Sequence, residues 1–397
     1  MRSIRVVIIA FQLMFTGYGN QAQSLFSTST PLDSVGYEDI FEEVKSLILE
    51  NYYSEELTEK DLYWASIEGM LRHISPPENP DLARIWTPDE YQEILNSLKG
   101  EDISLGIKTT FNPNDGSLTV NSISPGSPAD GKLETYDRIL KINDTLLMGR
   151  TTKQVNELLE GPEDSEVRLT VNRGPEIFNL TVVRKKYKVD LLRVFKIPQQ
   201  TALIEIKKIY DGLSDELARE LELLKEQNIR RLIIDLRNNS GGVLNEGIKT
   251  ANLFLEDRNI ILRTMSKSDK SARPIVASSE KFYNFELIIL INGNTASASE
   301  IIASALQEHN RATIIGNKTY GKGVIETTYK LPSDYRVKFI TSAMYSPSGK
   351  SWQSKGVLPD LLVEQNDEVY ERLSALEVTQ RIRKDIFLIT AYKLFND

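Results

Sequence analysis

The chain has no cysteine and only two histidines, His73 and His309, in 397 residues. That excludes disulfides, a thiol nucleophile, cysteine-based zinc sites and a lipidated N-terminal cysteine. A histidine-rich metal site is excluded too. Basic residues are in the minority, 48 Lys and Arg against 56 Asp and Glu, for a net charge of −8. That balance argues against a nucleic-acid binder. Repeats and low-complexity tracts are missing. So are long apolar runs: the one at the N-terminus, residues 6–15, is too short to span a bilayer. It follows Arg2 and Arg5 and precedes small and polar residues through Ala22. Residues 1–22 therefore read as a cleaved export signal, with an uncleaved N-terminal anchor as the alternative.

What is present fits a multi-domain globular protein. Residues 23–98 read as a helical region. Ile40, Phe41, Val44, Leu47 and Ile48 recur at helical spacing, and Thr87-Pro88-Asp89-Glu90 has the form of an N-cap, a first-position proline and an acidic first turn. Residues 99–187 switch to short β-branched runs such as LTVNSI, RILKI and VRLTV, punctuated by turn residues, with one helix at 152–159. From residue 188 to 363, strands and helices alternate, which predicts a largely parallel sheet with crossover helices. Residues 364–397 form a charged helical tail. Its stripe of Ile386, Leu388, Ile389 and Tyr392 suits either a dimer contact or core packing.

Chemistry concentrates between residues 287 and 326. The apolar strand LIILI ends at Asn292-Gly293, and the small residues Thr295-Ala296-Ser297-Ala298-Ser299 lead into an amphipathic helix. The first N–H groups of a helix lack internal partners and can hold an oxyanion above a serine placed there. Taken alone, Ser297 is equally a cap or a packing serine. A serine hydroxyl needs a base, and Lys322, flanked by Gly321 and Gly323, lies downstream. A lysine enclosed in an apolar site gives up its proton more readily; the plain alternative is a solvated turn lysine. GNKTYGKG, residues 316–323, comes close to a phosphate loop, but Gly323 stands where Ser or Thr would bind magnesium and a strand-like segment follows. Residues 231–242, RLIIDLRNNSGG, form a buried strand ending in a Gly241-Gly242 turn whose N–H groups would face the same edge.

Together these segments resemble the C-terminal processing peptidases, or tail-specific proteases, from about residue 37 to 363 and in that family's order. NGNTASASEIIASALQEHNRATIIGNKTYGKG resembles the nucleophile-and-lysine block, IIDLRNNSGG the glycine-turn strand, and YSPSGKSWQSKGVLPD the closing signature. The resemblance implies an α/β core of the ClpP/crotonase type with a mixed sheet. It also implies an inserted, small β-rich PDZ-like domain and helical segments at both ends. It implies Ser297 as nucleophile, Lys322 as general base, and an oxyanion hole from the N–H of Ala298 with one from Gly241 or Gly242. Glu300, Thr319 and Glu308 take supporting positions. Glu326 stands where the family usually has Gln, and a carboxylate beside Lys322 favours the charged ammonium over the free base. Tyr136 stands where the PDZ pattern has Gly.

The PDZ-like loop Ser104-Leu105-Gly106-Ile107 would receive a substrate's C-terminal carboxylate while the peptide adds a strand. The resulting expectation is an exported serine endopeptidase, located in a bacterial periplasm or envelope. It would act on polypeptides with exposed C-termini and need neither cofactor nor nucleic acid. An adaptor protein and homo-oligomerisation are left open. The expected signature is a direct hydrogen bond between Ser297 Oγ and Lys322 Nζ. The alternative is a catalytically weak or inactive peptide-binding protein on the same fold. A small-molecule acyl hydrolase of crotonase type is disfavoured, because no coenzyme site is evident. His309, three turns beyond Ser297, suits a helix C-terminus; His73 suits the surface.

Overall fold

The structure, a computed structural model, describes residues 36–395 except 55, 78, 279–280 and 375. The expected export signal lies outside the described residues. Two units are distinguished, residues 1–67 and 68–397. In the first, helix α1 (Tyr37–Asn51) carries the expected apolar spacing. Its Lys45 donates to Glu59 Oε1 at 2.8 Å and to the Tyr63 hydroxyl at 2.6 Å, tying it to helix α2 (Glu59–Ile74).

In the second unit, strand β1 (Arg84–Trp86) precedes helix α3 (Pro88–Leu98). The expected start signal is realised as a capping box: Glu90 N–H donates to Thr87 Oγ1 at 3.3 Å, and Thr87 N–H donates to Glu90 Oε2 at 2.8 Å. Strand β2 (Glu101–Ser104) then leads into the β-rich domain of β3 (Ile107–Asn112), β4 (Ser117–Ile123), β5 (Arg138–Ile142), β6 (Thr145–Leu146), helix α4 (Thr152–Leu159), β7 (Glu166–Arg173) and β8 (Glu176–Val183). The sheet order is β3-β4-β5-β7-β8, with β6 on β5, so β3 forms an edge. Inward residues such as Leu118, Val120, Ile139, Val167, Leu169 and Val171 share one core. Tyr136 sits at φ 76°, the left-handed backbone that glycine adopts freely. The turn is therefore kept, with a side chain that is 80% exposed.

Strand β9 (Lys185–Lys188) pairs back onto β2 and closes the insertion. The α/β core follows: β10 (Leu192–Ile197), β11 (Thr201–Ile206), α5 (Leu213–Glu226), β12 (Arg231–Asp235), α6 (Leu244–Asn252), β13 (Ile260–Ser266), β14 (Arg273–Val276), β15 (Glu286–Ile291), α7 (Ala298–Glu308), β16 (Thr313–Gly316), β17 (Val324–Lys330), β18 (Arg336–Tyr345) and β19 (Leu361–Leu362). The main sheet runs β10-β11-β12-β15-β16-β19, parallel except for β10 against β11. A second sheet joins β17, β18, β1, β13 and β14.

Strand periodicity decides what covers each face of the main sheet. Ile204, Ile206, Leu232, Ile234, Ile289 and Ile291 share a core with Leu217 and Leu221 of α5 and Ile301, Ile302 and Leu306 of α7. The alternate residues Leu203, Ile233, Ile288, Leu290 and Ile315 pack instead against Phe387, Leu388 and Ala391. Those three belong to helix α10 (Ile386–Leu394), which follows α8 (Asp367–Ser374) and α9 (Val378–Arg381). With both faces covered, β11 is buried along its whole length, as two-sided apolar strands require. The tail stripe is thereby divided: Leu388 is core, Tyr392 packs against that core, and Ile386 is 43% exposed.

Candidate active site

Three neighbouring parallel strands, β12, β15 and β16, end at one edge of the sheet and release the three chemistry-bearing loops there. Ligands on open α/β sheets sit at this carboxyl edge. Polar cross-links fix the loops to one another. Thr295 Oγ1 donates to Leu236 O at 2.8 Å, Asn292 Nδ2 to Asn238 Oδ1 at 2.7 Å, and Ala296 N–H to Asn239 O at 3.0 Å. Tyr320 N–H donates to Thr295 O at 3.0 Å, so the Lys322 loop is held against the Ser297 loop.

Ser297 caps α7 with φ 56° and ψ −118°. A side-chain-bearing residue adopts this backbone at a cost of about 1–3 kcal/mol, and only where its surroundings enforce it. Here the enforcement is visible. Ser297 N–H donates to Glu300 Oε2 at 2.7 Å, and Gly241 packs directly against the turn. A Cβ on Gly241 would come within 2.7 Å of Ala296 O, 2.8 Å of Ser297 Cβ and 3.0 Å of Ala298 N. Ser297 itself is half-buried and so reachable from solvent.

The expected oxyanion donors are separated by their partners. Ala298 opens α7, and its N–H has no acceptor among the described residues. Gly241 N–H is taken by Asn239 Oδ1 at 2.9 Å, which leaves Gly242 of the two expected alternatives for the second donor. Gly242 is exposed, and its N–H has no acceptor among the described residues. The missed signal was the Asn-Ser-Gly spacing, since an Asn side chain commonly bonds the N–H two residues on.

Glu300 clasps the site together. It is fully buried. Oε1 accepts from Thr319 Oγ1 at 2.5 Å and Gly321 N–H at 2.8 Å. Oε2 accepts from Ser297 N–H at 2.7 Å and Lys322 N–H at 2.9 Å. Burial pushes the carboxyl's pKa up, against the downward pull of those donors. Two donors on each oxygen occupy the lone pairs, which is the arrangement of an ionised carboxylate. Thr319 Oγ1 in turn accepts from Val357 N–H at 2.6 Å.

Lys322 follows in a backbone that needs its glycines. A Cβ on Gly321 (φ 94°) would lie 2.8 Å from Gly356 N, and one on Gly323 would lie 2.9 Å from Gln353 N. The closing signature forms the opposite wall: Trp352 Nε1 donates to Lys322 O at 3.2 Å, and Gln353 Oε1 accepts from Gly323 N–H at 2.7 Å. The Lys322 side chain is 23% exposed. Its Nζ donates to Glu326 Oε2 at 2.6 Å rather than to Ser297 Oγ, so the direct serine–lysine hydrogen bond expected from the sequence is absent among the described residues. The other carboxylate oxygen of Glu326 faces Lys338 Nζ at 2.5 Å, an ion pair lacking hydrogen-bond alignment. Lys338, on β18, was not singled out from the sequence; nothing local to residue 338 marks it.

Glu308, at the far end of α7, accepts from Ser346 Oγ at 2.8 Å, Ser348 N–H at 2.7 Å and Ser348 Oγ at 2.8 Å. It ties α7 to the closing signature. His309 is the C-cap of α7, with Nε2 2.8 Å from Ile260 O, and His73 is exposed in the last turn of α2. In the β-rich domain, Leu105 is buried core and Gly106 N–H donates to Ser104 Oγ at 3.0 Å. Ile107 is half-buried at the start of the edge strand β3.

Comparison with known proteins follows the same division. Residues 200–363 match the model of peptidase family S41, and residues 119–173 match that of the PDZ domain. Proteins described as CtpA-like serine proteases are similar along most of the chain. The one from Staphylococcus aureus (strain bovine RF122 / ET3-1) is 28% identical over 346 residues, covering 86% of this chain and 67% of its own. The one from Staphylococcus haemolyticus (strain JCSC1435) is 27% identical over 314 residues, covering 79% and 62%. Among solved structures, a Bacteroides fragilis protein described as an S41 protease superposes with a TM-score of 0.61 at 16% identity, covering 89% of this chain and 97% of that one, a likeness of fold. Both family matches, in the order the fold lays them out, give residues 200–363 as a core of peptidase family S41 and residues 119–173 as a PDZ domain, in a chain whose relatives are described as serine proteases.

Proposed function

We propose that Ser297 is the nucleophile and Lys322 the general base of this peptidase. Ser297 Oγ attacks the scissile carbonyl while the free amine of Lys322 takes its proton. The tetrahedral oxyanion is held by the N–H groups of Ala298 and Gly242. The Lys322 ammonium returns the proton to the leaving amine, and water then hydrolyses the acyl-enzyme. The observation that carries this reading is the enforced backbone of Ser297, whose N–H shares a Glu300 oxygen with the N–H of Lys322. The amine reaches the hydroxyl by swinging its flexible stem away from Glu326. Glu300, Thr319 and Glu308 hold the frame.

Substrates in this reading are polypeptides with exposed C-termini. The free edge of β3 accepts the peptide as an added strand, beside the half-buried Ile107 and Phe111. The carboxylate settles at the Ser104–Ile107 loop, where it competes with Ser104 Oγ for Gly106 N–H. Export rests on residues 1–22. No helix among the described residues is long and apolar enough to cross a membrane. The domain limits proposed from the sequence, 23–98, 99–187, 188–363 and 364–397, follow the change from helices to the β-rich sheet to the α/β core and tail.

Hydrolysis of casein by the purified chain tests the assignment. Ser297→Ala and Lys322→Ala each abolish it; retained hydrolysis in either variant rejects the mechanism. The Lys322–Glu326 ion pair favours a second reading, in which the peptidase is held nearly silent. A large gain of activity in Glu326→Gln that persists at the pH of the wild-type plateau would establish that reading.

A further inference from the structure

The Ser297/Lys322 assignment leaves a difficulty, and the structure contains a group that addresses it. A base must be uncharged when it acts, yet Glu326 sits 2.6 Å from Lys322 Nζ, with only 13% of its side chain exposed. A carboxylate so placed and so poorly screened favours the ammonium. On the other oxygen of that carboxylate lies Lys338 Nζ, at 2.5 Å, with a side chain 19% exposed. Thr328 pairs with Lys338 across β17 and β18, so Glu326 and Lys338 stand on the same face as diagonal neighbours. Lys338 Nζ also lies 5.3 Å from the centre of the buried Trp86 ring, a contact that favours a cation and holds it in place.

We propose that Lys338 is a positioning residue for the reaction: its ammonium neutralises Glu326 and so leaves Lys322 able to act as an uncharged amine. The carboxylate holds the Lys322 amine at rest, before the stem swings to Ser297. Its charge is cancelled from the far side, so the Lys322–Glu326–Lys338 row with Lys322 deprotonated is neutral as a whole. Several other charges on surrounding elements are engaged elsewhere, while Lys267 and Lys270, in the pocket lined by Val324, Ile340 and Ser342, are further cations near this face. Glu300 of α7 is bound by its four donors, Arg336 lies over the Tyr91 ring and bonds Asp334 O, and Arg84 of β1 faces Glu90. Asp81 is exposed. Lys338 is thus the cation matched to Glu326 from outside the catalytic pair.

The inference rests on the Ser297/Lys322 reading, and its test separates the two. The rate of casein hydrolysis by the full chain is measured against pH for wild type, K338M, K338R, E326Q and E326Q/K338M. K338M moves the rising limb to higher pH by about one unit or more, because Glu326 is then uncompensated. E326Q moves it to lower pH, the double variant returns it near wild type, and K338R leaves it in place. A purely packing role for Lys338 would scale the rate without moving the limb; that result, or a double variant displaced as far as K338M alone, overturns the inference. Competitive acetylation of Lys322, followed by mass spectrometry across pH, reads the same free-amine fraction without any substrate. It also covers the case in which K338M is too inactive to assay, and an unmoved Lys322 profile in E326Q sinks the proposal by itself. Hydrolysis surviving S297A or K322A would instead overturn the underlying mechanism.

Discussion

Replacing Glu300 by Gln changes no volume and reverses the polarity of one atom. Its two oxygens accept four hydrogen bonds inside a fully buried site. Turned one way, its NH2 group strands the N–H groups of Ser297 and Lys322; turned the other way, it strands Gly321 N–H while the Thr319 hydroxyl can reverse and accept. A buried donor left unsatisfied costs about 1–3 kcal/mol, so one or two cost about 1–6 kcal/mol, and the remaining hydrogen bonds lose charge assistance. Against a total stability of about 5–15 kcal/mol, the chain still folds at the lower end of that cost and unfolds at a clearly lower temperature. The local consequence is larger, because two of the donors are the N–H groups of Ser297 and Lys322. Releasing them frees the strained serine turn, and a misplacement of about 1 Å at such a centre costs about 100-fold in rate. Thermal unfolding by circular dichroism and kcat/KM on casein are the assays. A Glu300→Gln chain with wild-type unfolding temperature and wild-type rate would refute the claim that this carboxylate holds the site together.

Gly241→Ala places a methyl against Ser297 Cβ and Ala298 N on a backbone at φ 92°, so kcat/KM falls by about 10²–10³ as the oxyanion donors are pushed aside, measured on the same substrate. Asp137→Asn tests the β-rich domain. Asp137 accepts from Arg173 Nε and Nη2, both at 2.7 Å, and from Glu134 N–H at 2.8 Å. Burial pushes its carboxyl up, but Arg173 and the Glu134 N–H outweigh it and the pKa is lowered. Stability from a lowered carboxyl is present above its unfolded pKa, about 3.9, and is lost as the pH falls through the folded value. Urea titrations should show that the Asn variant is weaker at pH 7 and that its stability falls less below about pH 4.

The fold was legible wherever one segment carries its own evidence. The Thr87 cap and the two-sided apolar strands each announce an element through spacing alone, whereas α7, expected to be amphipathic, is buried on every side from Ala298 to Leu306. Strand β3 was not named because its alternation, Ile107 and Phe111 among Lys108, Thr109, Thr110 and Asn112, is that of an edge strand with one wet face. Strand β10 breaks its apolar run with Arg193 and Lys196. Which face of the sheet the tail covers could be read only once Leu203, Ile233, Ile288, Leu290 and Ile315 had a partner. Arg237 shows why such facts escape a sequence: it is fully buried between Tyr370 and Phe387 and pairs with Asp235 and Asp385, the latter 148 positions away.

The resemblance put Ser297 and Lys322 forward, and the frame that holds their two loops together is explained by physics that the resemblance did not contain. Glu300 converts two remote loops into one object because its four donors come from both. Glu326 looked, in sequence, like a substitution that would disable the neighbouring lysine. Its effect depends on what faces its second oxygen, and Lys338 becomes visible there only when β17 and β18 pair. A charge placed against a catalytic lysine therefore has no sign of its own for activity. The sign belongs to the set of charges that share its burial, and the second lysine is the member of that set on which the free amine depends.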